Sequence, residues 1–363
     1  MIMNNIIKRA VFAAIIAAVI SCGYSEKITV RPDHPHKVAI KDLCGTRAVT
    51  PLCIPDSLQT LVPSKMKLDA GGEKIFILDN SSLGILVFTM DGSFVSRITD
   101  CGHITDFCLY DGRSLEVLSD TGDLTSYSLD DFSIIRRHHL DNSEGVKLCA
   151  MHRFDEDLYV MSGYVDGLNC FCEYYVKDNK YYVSRDEHAR IAQTKNLSQI
   201  IGESRFFDHE GKTFLFYPHS GDIWAYSYYM NHSTGEKVGP FVHPMYGWDF
   251  EEFNESVNAV ETGEIDFNDA RIRFDNAQMS GNRLFASFIL DGGHRLLILD
   301  TNAGKARVVK FTKDNIRFPL GIIRGNINYY CCTETDLPDY CLPTEIQEYE
   351  GTSRLYLLAY SIR

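Results

Sequence analysis

"GEKIFILDNSSLGILVFTMDGSFVSRI", residues 72–98, reads as three strands joined by two turns. Apolar residues fill Ile75–Leu78 and Ile85–Phe88, and Asp91-Gly92 between two such runs is a strong hairpin signal. The same grammar returns in "RSLEVLSDTGDLTSYSLDDFSII", 113–135, where Asp120 lies 41 residues after Asp79 and Asp130 lies 39 after Asp91. Looser copies occupy 156–184, 212–228 and 282–311, and the last pairs "GNINYYCC" with "SRLYLLAYSI" near the chain end. Taking Ile75, Leu115, Leu158, Phe214, Leu284 and Ile327 as equivalent strand starts gives intervals of 40, 43, 56, 70 and 43, hence six units.

Repeated strand-rich units of this length, with an amphipathic helix at most at 190–202, point to an all-β, six-bladed β-propeller of four-stranded antiparallel blades. Each blade then buries its apolar faces on two neighbours, and closing the ring removes exposed sheet edges. Closure calls for a strand from the N-terminal region beside "RLYLLAYSI" at 354–362, and "HKVAIKDL" at 36–43 or "KITV" at 27–30 are the candidates. Two stacked β-sandwiches are the alternative. They rank below because the repeat runs on without a linker-like break.

The N-terminus decides the compartment. Lys8 and Arg9 precede an apolar run from Ala10 to Ile20, about half of the roughly 20 residues a spanning helix requires. The run ends in Val19-Ile20-Ser21-Cys22, which looks like a bacterial lipobox with Cys22 as the acylated N-terminus after cleavage. Acyl chains buried at about 0.8 kcal/mol per methylene hold a soluble domain at a bilayer. The expected organisation is a signal peptide at 1–21, a tether at 22–35 and one propeller domain at 36–363. The membrane is a partner through that anchor. The expected address is the cell envelope, at the outer membrane, with the side left open.

Composition narrows the partners. The formal net charge is −13, without the basic stripe that phosphate recognition requires, so nucleic acid is excluded as a partner. Eleven cysteines in an exported chain make pairing worth weighing, and Cys44 with Cys53, or Cys341 with Cys331 or Cys332, are the local candidates. Cys108, Cys149, Cys170 and Cys172 read as small hydrophobes in strands. Cys170-Phe-Cys172 and Cys331-Cys332 lack zinc-site spacing, and His34-Pro35-His36 and His138-His139 lack partners, so no metal and no cofactor are expected. Asp91-Gly92 and Asp120-Thr121-Gly122 read as hairpin turns, and a Gly-x-Ser-x-Gly elbow is absent.

The lipobox, "SKMKLDAGGEKIFILDNSSLGILVFTMDGSFVSRI" at 64–98 and the terminal "SRLYLLAYSI" resemble the six-bladed β-propeller lipoproteins of Bacteroidetes, a TolB-like, NHL-like group. Members often carry a "GxGPGEY"-like turn after the first blade, and "TDCGHITDFCLYD" at 99–111 departs from it. The resemblance implies a cell-envelope lipoprotein working beside glycan or peptide uptake systems, and no particular catalytic residue.

The longest interval holds "MYGWDFEEFNESVNAVETGEIDFND", 245–269. Tyr246, Trp248 and Phe250 there are suited to stack on a sugar or ligand ring, and Asp249, Glu251 and Glu252 to bond hydroxyls or a cation. The expected function is non-enzymatic binding or scaffolding of a glycan, peptide or envelope protein. The alternative is a hydrolase or lyase using loop carboxylates at the channel mouth.

Overall fold

The computed structural model describes residues 28–29, 35–55, 62–81, 84–141, 145–165, 168–190, 205–209, 212–217, 222–230, 237–246, 248–249, 259, 262, 264–265, 272–300, 302–303, 305–311, 320–333 and 355–362. Six sheets form the blades. Blade one runs Pro63–Leu68, Lys74–Asp79, Gly84–Thr89, Phe94–Ile98, and blade two Ile104–Tyr110, Ser114–Ser119, Asp123–Ser128, Ile134–His139. Blade three runs Lys147–Arg153, Leu158–Val165, Leu168–Tyr175, Lys180–Arg190, and blade four Arg205–His209, Lys212–Tyr217, Asp222–Met230, Lys237–Tyr246. Blade five runs Ile272–Ser280, Arg283–Leu290, Gly293–Asp300, Lys305–Phe311; blade six runs Ile322–Arg324, Ile327–Thr333, Leu355–Ile362 and is completed by Cys44–Leu52.

The first strand of every blade touches the first strand of the next, and that of blade six touches that of blade one, so the six enclose a common axis. All six residues taken as equivalent starts, Ile75, Leu115, Leu158, Phe214, Leu284 and Ile327, lie in the second strand of successive blades. Alternation along a strand explains the packing. Phe76 and Leu78 enter a cluster with Phe107, Leu115 and Val117 of blade two. Ile75 and Ile77, on the opposite face, enter one with Leu52, Leu355 and Leu357 of blade six. Similar clusters fill the remaining interfaces, with Phe214 and Phe216 against Phe274 and Phe288 between blades four and five. The core is thus a ring of blade interfaces, which accounts for strands apolar on both faces.

The closing strand differs from both candidates. Cys44–Leu52 pairs antiparallel with Leu355–Ile362, Leu52 opposite Leu355 and Cys44 opposite Ile362. Residues 36–38 instead lie parallel to Lys305–Phe311 as a fifth strand on blade five, and Ile28–Thr29 pairs with Trp248–Asp249. The reason is length. Leu355–Ile362 has eight residues and needs an extended partner of like size, whereas Ile40–Leu43 coils into one helical turn that breaks the stretch 36–43. Pro51 is tolerated because this strand is outermost, where no neighbour requires its missing N–H.

That placement also overturns the Cys44–Cys53 pairing. Nine strand residues set the two roughly 30 Å apart, beyond the about 7 Å a disulfide spans, and Cys53 carries a free thiol. Cys331 is also a free thiol, its proton held by burial, which pushes the thiol up; Cys341 lies outside the described residues. Cys108, Cys170 and Cys172 are buried in the cluster between blades two and three, as small hydrophobes would be. The stretch 191–202 lies outside the described residues. Among the described residues, no helix is long and apolar enough to cross a membrane.

Candidate functional site

Four of the first strands carry an extra residue, Ser64, Thr105, Cys149 and Asp275, where the ladder slips by one. Such a bulge withdraws a residue from pairing with its neighbour strand and re-aims its polar groups. Lys65 exploits two of them. Its Nζ donates to Thr105 O and Cys149 O, both at 3.0 Å, and lies 3.2 Å from Asp106 Oδ1. One ammonium therefore joins blades one, two and three, and its three protons are spent. Asp106 Oδ2 in turn accepts the Met151 N–H at 2.7 Å.

Lys67 lies two residues on, hence on the same face. Its Nζ donates to Phe206 O at 3.3 Å, on the first strand of blade four. Blade four stands opposite blade one in the ring, so this side chain crosses the axis. Near it, Thr213 Oγ1 lies 3.1 Å from His152 Nε2 and donates to Asp208 Oδ1 at 2.9 Å, with His152 Nε2 3.4 Å from the same oxygen. With its hydroxyl proton on Asp208, Thr213 accepts from the imidazole, which places a proton on Nε2. Burial lowers the His152 pKa and Lys67 adds to that, against the opposing pull of Asp208 and Asp106. The chemistry of this centre is a mutual bracing of charges across the channel.

A second polar group lies between blades two and three. Glu116, 1% exposed, accepts from Ser114 Oγ at 2.6 Å and from Ser126 Oγ, Tyr159 Oη and Arg153 Nη1, each at 2.5 Å. Arg153 also stacks over the Tyr110 ring at 4.1 Å. Burial pushes the Glu116 pKa up, but the Ser114, Ser126 and Tyr159 hydrogen bonds and Arg153 outweigh it, so the net shift is downward. These residues were not among the sequence candidates. The available signal was Glu116 inside the apolar run "LEVL", where a charge must find partners.

Of the residues singled out in the sequence, Tyr246 ends the strand Lys237–Tyr246, opposite Ile223. Trp248 and Asp249 form a two-residue strand in parallel register with Ile28 and Thr29. Ile28–Thr29 thus pairs with the connection between blades four and five. Phe250, Glu251 and Glu252 lie outside the described residues, as do Cys22 and His34. The turns at Asp91-Gly92 and Asp120-Thr121-Gly122 are hairpin turns, with Gly92 at φ 91° and Gly122 at φ 85°. His139 is exposed, its Nδ1 2.7 Å from Asp123 Oδ1, and His36 is exposed. Among the described residues no group of three His, Cys, Asp or Glu is placed to hold a metal ion.

Residues 26–319 match the DUF5128 family, described as a 6-bladed beta-propeller. The chain belongs to that family. The match of this DUF5128 propeller extends through its fifth blade and stops just before Ile322, where blade six begins. No curated protein matches it in sequence. A Bacteroides fragilis protein described as exported superposes with a TM-score of 0.66 at 14% identity, covering 93% of this chain and 99% of that one. The Cps50 (Swd1) β-propeller domain of Myceliophteria thermophila gives 0.48 at 9% identity, covering 87% and 100%. At such identities the likeness speaks of fold alone.

Proposed function

We propose that this propeller is a cell-envelope lipoprotein, anchored through Cys22, that works as a rigid non-enzymatic binding platform for a glycan, peptide or envelope protein. The observation that carries the reading is the Lys67 bridge from blade one to Phe206 O of blade four. A hydrolase or lyase needs acidic and basic groups converging on space for a reacting atom. Here Lys65, Asp106, His152, Thr213 and Asp208 are bonded to one another or to backbone, which supports a braced ring. The anchor is supported by the lipobox at Val19–Cys22 and by the exported description of the Bacteroides fragilis relative in fold. A TolB-like or NHL-like kinship and an outer-membrane address belong to the same proposal.

The test has two arms. Metabolic labelling with palmitate should mark the full chain and fail on Cys22→Ala. A glycan and peptide binding screen on the domain lacking residues 1–22, repeated with Trp248→Ala, should find a ligand whose affinity drops at least tenfold in the variant. Unchanged affinity removes the 245–269 segment from the proposal, and turnover of a screened glycan refutes the platform.

A further inference from the structure

Lys74 and Arg283 are equivalent residues, each preceding a repeat start, Ile75 in blade one and Leu284 in blade five. Lys74 spends its charge on the next blade. Its Nζ donates to Leu129 O at 3.0 Å and lies 5.5 Å from the Phe132 ring centre, both groups at the turn joining the third and fourth strands of blade two.

Arg283 faces a different neighbour. In blade six no turn joins the third strand to the fourth, because Leu355–Ile362 comes from one end of the chain and Cys44–Leu52 from the other. The carbonyl that would receive Arg283 by analogy is missing. Across the hairpin, Asp300 Oδ1 accepts Asn282 Nδ2 at 3.2 Å and the N–H groups of Asn302 and Ala303 at 3.0 and 2.9 Å. Among the described residues Arg283 has neither an ion pair nor a hydrogen bond from its side chain.

Beside it lies a cleft of about 430 Å³ between blades five and six. That is within the range of roughly 300–1,000 Å³ typical of small-ligand sites. Phe285, Ile323 and Ile362 give it an apolar wall, and Asn282, Arg283 and Asn326 a polar one. Its cause is visible in the strands: the first strand of blade six has only three residues, against nine in blade five. Gly281 and Gly325 border it at φ 55° and 61°, and a Cβ on either would meet nothing within 4 Å.

We infer that this cleft binds a small organic carboxylate with a compact apolar portion, the carboxylate paired in bidentate fashion with Arg283. A planar guanidinium fork matches a carboxylate with two parallel hydrogen bonds, and the apolar wall takes the rest. The inference stands apart from the channel and from the 245–269 segment, so it survives or fails without them. The carboxylate has two sources, a free acid or the C-terminal end of a peptide.

The test is titration of the full chain in detergent with N-acetyl-leucine and with N-acetyl-leucinamide, followed by isotope-edited NMR. Saturable binding of the acid is expected, weakened at least tenfold by the amide probe and by Arg283→Gln, with Arg283→Lys between. Arg283 is exposed, so circular dichroism of both variants should match the parent. Ala-Ala-Leu binding more tightly than N-acetyl-leucine assigns the site to peptide ends, and weaker binding assigns it to free acids. Equal binding of acid and amide, unchanged affinity in Arg283→Gln, or lack of saturable binding of either probe overturns the inference.

Discussion

Gly92→Ala tests how the ring is shut. Gly92 sits in the Asp91-Gly92 turn of blade one at φ 91°, and a Cβ there would lie 2.1 Å from Pro51 O and 3.2 Å from Pro51 C. Both atoms are backbone of the closing strand or its edge, so no rotamer relieves the overlap. Gly92 O also accepts the Cys53 N–H at 2.8 Å, which ties the end of that strand to blade one. An alanine at positive φ costs about 1–2 kcal/mol, and forcing the strand away forfeits a hydrogen bond worth about 1 kcal/mol. Displaced packing at Leu52 adds to this, for a total of about 3–4 kcal/mol. The control is Gly102→Ala, which has φ 68° but nothing within 4 Å of its Cβ, and so carries the backbone cost alone. Urea midpoints of the two variants measured side by side should differ by about 2 kcal/mol after multiplication by the slope. Limited proteolysis should also release residues preceding Pro63 sooner in Gly92→Ala. If the two variants are equally stable and equally resistant, the closing strand does not depend on this contact and the account of the seam is wrong.

Lys65→Met leaves Asp106 Oδ1 and two carbonyls without the ammonium, and breaking a buried pair from one side costs about 3–5 kcal/mol; urea unfolding should show a larger loss than for Lys67→Met, which strands one carbonyl. Glu116 has a folded-state pKa below its ordinary 4.5, so its stabilisation is complete above that pH and is lost as pH falls through the lower folded value. Melting temperatures below pH 4.5 should therefore fall less steeply in Glu116→Gln than in the parent, from a lower plateau. His152 is likewise held below its ordinary 6.5. The unfolded chain takes up that proton first, so stability should decline as pH drops from 6.5, and His152→Gln should remove this part of the decline.

The blades were legible because the ring buries both faces of most strands, which turns each into a short apolar run with a turn on either side. Leu284 and Ile327 could be aligned with Ile75 across units of unequal length for that reason. The closing strand was not legible. "CGTRAVTPL" has few large apolar residues and a proline, since an outermost strand needs to satisfy only one neighbour. The channel was half legible: "SKMKL" at 64–68 alternates lysine with apolar residues, which puts both ammonium groups on one face. That they would meet Thr105, Cys149 and Phe206 depends on register and bulges in three other blades, which no local pattern records.

Polar side chains bridge several of the seams between blades. Between blades one and two, Lys74 closes the interface by bonding to a turn carbonyl. Between blades six and one, Arg324 does the same work from the other direction, donating to Asp69 O at 2.9 Å and to Ala70 O, and it occupies the space beside Gly72. Between blades five and six, where the third and fourth strands of blade six come from different chain ends, Ser280 Oγ donates to Gly325 O in the turn between the first two strands of blade six. The seam between blades five and six is packed by Phe285, Leu296, Ile298, Val309, Leu320 and Tyr360, and beside that packing Arg283 and an apolar wall border the cleft. On this argument, substitutions at Arg283 should leave the unfolding midpoint within about 0.5 kcal/mol of the parent, as for an exposed side chain without structural partners, whereas Lys74→Ala and Arg324→Ala should each lower it.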